Sequence, residues 1–280
     1  MIALALAVAT AVRVVSLSPA LTEDLFAIGA GPEVVAVDTY SNRPAAALAL
    51  PRVGSMRAIN SEVIAALAPT LVVGIPYEEP NLRDIGRTGV RTESLPMDTL
   101  AQDFAAIARL GVLTGHVAGA TTLLASLHRR LERIARATQA LPQPTAFVVI
   151  DTAPIYTAGA GSYIGDLLRI VHVANAVPGI VSAFPSVSAE TLEAEDPDLL
   201  IVTRRTVIPK MPPWSNLRAV REHHIVTVDE DDLFRAGPRV ADVAEALARA
   251  IAPLRQRKAG GTAKASTAPP GSRRTAIGMP

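Results

Sequence analysis

The chain of 280 residues contains no cysteine. That excludes a disulfide framework, a thiol nucleophile, a thiolate metal site and a lipid-modified cysteine, and it suits an oxidising compartment. Aromatic residues make up only 4% of the chain, so each one is weighed as a candidate contact. No apolar run reaches the roughly 20 residues needed to span a bilayer. The five histidines are scattered, and the adjacent His223 and His224 point to opposite faces of an extended segment, so they cannot chelate one ion. Ser18 lacks a nucleophile-elbow frame. The acids Glu193, Glu195, Asp196 and Asp198 have no EF-hand spacing, and the run Asp229 to Asp232 reads as a solvated loop. These residues form no catalytic constellation. Acids are absent from Arg255 onward, where six basic residues stand, so a formal net charge of +1 leaves everything before them at −5. An acidic body of that kind argues against nucleic acid as a partner.

What the chain has instead is a stretch that occurs twice. Asn60-Ser61-Glu62 and Ser188-Ala189-Glu190 each give a polar N-cap and a Glu in the first helical turn. In each copy a proline, Pro69 or Pro197, follows the Glu by seven positions and stops the helix. The β-branched runs after these prolines suit parallel strands covered on both faces. Each Glu alone is a carboxylate favoured by a helix dipole. Its recurrence in one frame indicates two similar lobes, each presenting one acid.

The remaining pattern supports two α/β lobes. Arg13 to Leu17, a helix from Leu21 to Ile28, and Val34 to Val37 open the chain as strand, helix, strand. Apolar residues at helical spacing from His116 to about Leu141 form a long helix between the halves. The second lobe starts with the strand Ala146 to Ile150 and ends in an amphipathic helix from Arg239 to Leu254. The first eleven residues read as the h-region and Ala-x-Ala site of a secretory signal without its basic n-region. Residues 255–280 have little to bury and read as a disordered basic tail. The expected division is therefore a signal segment at 1–11, an N-terminal α/β lobe at 12–112, a linker helix at 113–141, a C-terminal α/β lobe at 142–254, and the tail.

Two sets of residues are candidates for function. Gly159, Gly161 and Gly165 follow a strand and open a helix, the context of a phosphate loop. Their G-x-G-x-x-x-G spacing departs from the dinucleotide fingerprint, and no Lys-Ser/Thr closes a P-loop. The second set comprises Tyr40, Tyr77, Tyr156, Phe184 and Phe234, with Asp232 and Arg235, on loops after expected strands. In parallel α/β sheets ligands sit outside the carboxyl ends of the strands, so two facing lobes would gather these residues around one cleft.

Several stretches, in order from Val15 to Arg239, resemble the periplasmic binding proteins of ABC importers for vitamin B12, haem and ferric siderophores. They are Val15-Ser16-Leu17-Ser18-Pro19-Ala20-Leu21-Thr22-Glu23, Val37 to Pro44, Leu50 to Gly54, the Glu62 helix with Pro69, Tyr156 to Gly159, Ser188 to Val202, and Arg235 to Arg239. Ser-Pro-x-x-Thr-Glu with Tyr40-Ser41 is most similar to the cobalamin branch. The resemblance implies parallel-sheet lobes joined by one rigid helix, no enzymatic activity, no cofactor, and a corrinoid as bound ligand. It implies ligand contacts at Tyr40, Tyr156, Phe184 and Asp232, and together with the loop placement the expected contacts are these four with Ser41, Met56, Tyr77 and Arg235. It further implies that Glu62 and Glu190 dock onto the permease of an inner-membrane ABC importer, the protein being a periplasmic monomer without a lipid anchor.

The sequence departs from that pattern at Met56 and Ile75, where the cobalamin branch often has Trp, and at Ser55, where the haem branch often has an iron-ligating Tyr. A ferric siderophore or haem is the alternative ligand, with Arg43, Arg57, Arg235 and Arg239 as candidate cations for a siderophore. A cytosolic nucleotide-dependent α/β enzyme using residues 158–165 is the alternative of another class.

Overall fold

The β-branched runs that follow Pro69 and Pro197 both become central strands of parallel sheets, covered on each face as their composition requires. The computed structural model describes residues 12–265, with side chains through Gln256. The expected signal segment lies outside the described residues.

The first lobe runs β1 (Val14–Ser16), α1 (Pro19–Ala27), β2 (Val34–Val37), a small hairpin of β3 (Gly54–Ser55) and β4 (Ala58–Ile59), α2 (Ser61–Ala66), β5 (Leu71–Gly74), α3 (Glu79–Gly86) and β6 (Arg91–Ser94). Two helices follow, α4 (Leu100–Thr114) and α5 (Val117–Thr138). The second lobe runs β7 (Thr145–Val148), β8 (Asp151–Thr152), β9 (Ile155–Tyr156), α6 (Tyr163–Ile170), β10 (Ala174–Asn175), α7 (Ala189–Glu195), β11 (Leu199–Thr203), α8 (Arg218–Arg221), β12 (Ile225–Val228), α9 (Glu230–Leu233) and α10 (Val240–Ala265). The sheet orders are β2-β1-β5-β6 and β10-β7-β11-β12, and every pairing in them is parallel.

Local chemistry fixes the helix starts. Thr99 and Gln102 form a capping box at α4, satisfying two orphan N–H groups reciprocally. The side chains of Asn60, Ser162 and Ser188 accept the third amide of α2, α6 and α7 at 3.0, 3.0 and 3.1 Å. The internal repeat extends to its stops. Ala68 and Asp196, each immediately before its proline, have φ of +42° and +31°. Both copies thus leave the helix through a left-handed residue, uncommon for non-glycine side chains.

The long helix α5 would span about 33 Å at 1.5 Å per residue. It packs on α1 and α4 on one side and on α6 and α10 on the other. One apolar cluster continues from Leu21, Leu25 and Leu110 through Leu127 and Leu131 to Leu167, Leu247 and Ile251. A core shared between lobes and linker resists large hinge motion, because opening the lobes would expose it. Gly115, at φ +79°, ends α4 in the left-handed conformation and separates it from α5.

The expected disorder from residue 255 is corrected at its start. Helix α10 continues to Ala265, and Arg255 is 3% exposed. Its guanidinium donates to the carbonyls of Val171 and His172 just beyond α6, so a cation that reads as tail in the sequence closes a helix end. Residues 266–280 lie outside the described residues.

Candidate functional site

Two parallel sheets place the carboxyl ends of their strands on loops, and those loops enclose one cavity of about 700 Å³ between the lobes. Ser18 follows β1, Tyr40 follows β2, Ile75 to Tyr77 follow β5, and Met97 and Asp98 follow β6. From the second lobe come Arg205 after β11, Glu230 and Asp231 after β12, and Phe184 on the segment before α7. The volume lies within the range of small-molecule sites, roughly 300–1,000 Å³.

The walls are apolar and solvent-facing in a manner unusual for a monomer surface. Tyr40 is 63% exposed and Tyr77 74%, while Met56 and Phe184 are each 40% exposed. Exposed rings converging on a concavity mark a surface that gains from being covered. The floor is rigid. Tyr163 is buried, donates its hydroxyl to the Leu233 carbonyl at 2.9 Å, and meets Phe184 edge to face with centroids 6.3 Å apart. Burial first, and the Asp103 carboxyl second, push the Tyr163 hydroxyl far above the ordinary phenol range.

The cleft carries one more acid than base. The cavity lining carries three acids, Asp98, Glu230 and Asp231, and two guanidinium groups, Arg205 and Arg235. Arg235 bonds Asp231 at 2.7 Å, Glu23 at 3.3 Å and the Asn42 side chain at 2.6 Å. Arg205 lies 3.1 Å from Glu230. Arg239 bonds Glu23 at 2.6 Å and pairs with Asp232, which Arg43 also reaches at 2.8 Å. This network ties the first lobe to the second at the foot of the cleft, and Glu23 lies almost wholly within it at 6% side-chain exposure. Arg43, Arg235 and Arg239, the candidate cations for a siderophore, are each paired with carboxylates. Arg57, on the exposed turn between β3 and β4, does not line the cavity.

Of the eight expected ligand contacts, Tyr40, Met56, Tyr77, Phe184 and Arg235 line the cavity. Ser41, Tyr156 and Asp232 do not. Ser41 is fully buried, its hydroxyl shared between Thr22 Oγ1 at 2.8 Å and the Asp38 carboxylate. Asp38 accepts the Tyr40 amide at 2.8 Å, so Ser41 orders the Tyr40 loop from beneath. Burial raises the Asp38 carboxyl above its ordinary range, against the lowering effect of the Ser41 and Tyr40 hydrogen bonds. Tyr156 pairs with Ser186 in a short antiparallel bridge at the lobe's side. Asp232 is held by Arg43 and Arg239. None of these three lines the cavity.

Met97, Tyr163, Arg205 and Glu230 line the cavity without having been singled out in the sequence. Three of them stand just after a parallel strand, a placement that applies to loop residues of any type as much as to aromatics. Tyr163 follows the glycine loop, and nothing local distinguishes it from a core tyrosine.

Glu62 and Glu190 are both exposed on first turns, of α2 and α7. Glu190 has its carboxyl lowered by its own backbone N–H and by the Ser188 hydroxyl. The glycine loop is not arranged for phosphate. The amides of Gly159 and Ala160 donate to the carbonyls of Ala183 and Ile180, both at 2.9 Å. A Cβ on Gly159 or Gly161 would lie 2.0 or 1.9 Å from the carbonyl oxygens of Ser182 and Val181. The loop is packed against carbonyls, which leaves no concave nest of free N–H groups for an anion. Among the described residues no group of three or more His, Cys, Asp or Glu is placed to hold a metal ion.

A family model described as periplasmic binding protein matches residues 14–231. An uncharacterized ABC transporter substrate-binding lipoprotein of Bacillus subtilis (strain 168) is 26% identical over 255 residues, covering 86% of this chain and 80% of the relative. The vitamin B12-binding protein of Photorhabdus laumondii is 27% identical over 251 residues, covering 87% of this chain and 89% of the relative. Among solved structures, a periplasmic heme binding protein from Pseudomonas aeruginosa superposes with a TM-score of 0.75 at 28% identity, covering 86% of this chain and 92% of its own.

Proposed function

The chain belongs to the periplasmic binding protein family, and on that premise we propose that its ligand is a corrinoid. It is a non-catalytic, extracytoplasmic substrate-binding protein that serves an ABC importer. The expected alternative of a cytosolic nucleotide-dependent enzyme is accordingly set aside.

The observation that carries the ligand reading is the charge of the cleft. Its lining holds three carboxylates against two guanidinium groups, and each guanidinium already faces a carboxylate. A porphyrin brings ionised propionates and a catecholate iron complex brings several negative charges. Either would leave carboxylates facing carboxylates in a partly dried cleft, a juxtaposition that costs several kcal/mol. A corrinoid presents a broad apolar ring edged by neutral amides, which suits walls made by Tyr40, Met56, Tyr77 and Phe184 with polar groups between them. The vitamin B12-binding protein of Photorhabdus laumondii, similar along most of the chain, supports the same choice.

The shared core and the Glu23 network give a cleft that is largely formed before binding, which lowers the ordering cost of capture. Glu62 and Glu190 are the residues we assign to docking on the permease. One exposed acid per lobe, in equivalent frames, would align the two lobes on two equivalent basic sites, giving register more than affinity.

Calorimetric titration of the full chain with cyanocobalamin, haemin, a ferric catecholate and a ferric hydroxamate tests the ligand reading. We expect a Kd below about 1 μM for cyanocobalamin and no saturable binding of haemin or the catecholate. Tight haemin binding without corrinoid binding would refute the charge argument. Binding of the neutral hydroxamate complex alone would keep that argument and reject the corrinoid.

A further inference from the structure

A second, smaller cavity of about 350 Å³ lies on the second lobe, open at the carboxyl ends of β7 and β11. It shares Arg205, Glu230 and Phe234 with the main cleft, so an arm of a molecule seated in the cleft can enter it. Its chemistry differs from that of the cleft. Where the main cavity is walled by rings and thioethers, this one presents Asp151, Thr152, Thr203 and Thr206.

Donors and acceptors are both on offer. Thr206 Oγ1 accepts the Thr203 amide at 3.1 Å and lies 3.0 Å from Thr203 Oγ1. One hydroxyl proton closes that pair, and the other is available to the cavity. Arg205 is 86% exposed in its side chain and approaches Glu230 through Nε, leaving its terminal nitrogens toward solvent. On the acceptor side, Asp151 uses Oδ1 for the amides of Thr152 and Ala153, at 2.6 and 3.3 Å, which leaves Oδ2. Glu230 adds a second carboxylate, its buried Oε2 facing Arg205 Nε at 3.1 Å.

We propose that this side pocket receives a primary carboxamide on the edge of the bound ligand and rejects a carboxylate in the same place. The inference rests on the corrinoid reading above and goes beyond it to specify how the ligand's periphery is read. A carboxamide offers an NH₂ to Asp151 and Glu230 and a carbonyl to the Thr206 hydroxyl or Arg205, so both halves of the pocket are used. A carboxylate offers acceptors only, and it meets two carboxylates with one guanidinium already shared. An unlike group is thus excluded by repulsion as much as by lost hydrogen bonds.

The test compares cyanocobalamin with its monocarboxylic acids, each made by hydrolysing one side-chain amide. Affinities are measured at pH 7.5 for the full-length protein and for the double variant Asp151→Asn/Glu230→Gln, with Asp151→Asn alone as a second variant at an exposed site. For one acid isomer the unmodified protein should bind at least about tenfold more weakly than it binds cyanocobalamin. In the double variant that penalty should shrink toward parity, while the penalties of the other isomers stay as they were. Equal affinity for every isomer in the unmodified protein would overturn the pocket's role. So would a penalty unchanged by both variants while cyanocobalamin still binds. Either result leaves the corrinoid reading standing, whereas failure of the unmodified protein to bind any corrinoid overturns both.

Discussion

Asp103 and Asp24 make stability fall as pH rises, and the effect can be isolated by one substitution. Asp24, on α1, and Asp103, on α4, are both fully buried. Asp103 Oδ2 accepts the Gly237 amide at 3.0 Å, but Asp103 Oδ1 and both Asp24 oxygens have no partner among the described residues. Glu23 adds a further negative neighbour to Asp24. Burial pushes the Asp103 carboxyl from an ordinary 3.8 up to about 7, against the lowering effect of the Gly237 amide. Burial, then the charge of Asp103, raises Asp24 in the same direction.

An acid with a raised pKa in the folded state holds its proton more tightly there than when unfolded. Its contribution is therefore fully present below the unfolded value and is lost as pH climbs through the folded one. At about 1.4 kcal/mol per pH unit, the two units from pH 5 to 7 amount to on the order of 3 kcal/mol. Asp103→Asn removes the titration of that carboxyl and keeps an acceptor for the Gly237 amide. Thermal melts of wild type and variant at pH 5, 6, 7 and 8 read the difference. At about 2–4 °C per kcal/mol for a chain of this size, the variant's advantage should grow by about 6–12 °C between pH 5 and pH 8. Parallel profiles, or a variant less stable at pH 8 than at pH 5 relative to wild type, would refute the assignment of an ionisation cost to this pair.

Four further outcomes follow from the packing, the cleft and the two exposed acids. Gly119→Ala places a Cβ 2.0 Å from the Ile28 carbonyl oxygen where α5 crosses the end of α1. It should cost about 1–3 kcal/mol, seen as a lower urea midpoint. Arg239→Ala strips a partner from Glu23 and Asp232 at the inter-lobe joint, so it should destabilise by about 3 kcal/mol in denaturant titration. Met56→Trp enlarges an aromatic wall of the cavity and should tighten cyanocobalamin about fivefold by calorimetry. Replacing both Glu62 and Glu190 by Ala should abolish vitamin uptake in cells while leaving calorimetric affinity intact, and lost affinity would contradict their docking role.

The sheets were legible because their signals are local. The runs after Pro69 and Pro197 are short, β-branched and bounded, and they became β5 and β11 at the centres of the two sheets. The twin caps at Asn60 and Ser188 were equally readable, since a cap and its amide are three residues apart. The cleft was legible in outline because strand ends locate loops. What sequence could not convey was the partner of each charge. Arg43 meets Asp232 and Arg239 meets Glu23 across separations of 189 and 216 residues, pairings that no local pattern announces. The burial of Ser41 was hidden for a similar reason: a serine beside a cleft tyrosine gives no sign of which way it turns. Helix α10 outran its expected end because the residues after Leu254 offer little to bury, whereas Arg255 finds its carbonyls beyond α6.

The most direct test is a cobalt anomalous difference map from crystals of the protein grown with cyanocobalamin. The account predicts one peak, between Tyr40, Met56 and Tyr77 on one side and Phe184 on the other, with no side chain of the protein bonded to the metal through an ionised group. A peak outside this cavity, or an empty cleft at saturating vitamin, would contradict it.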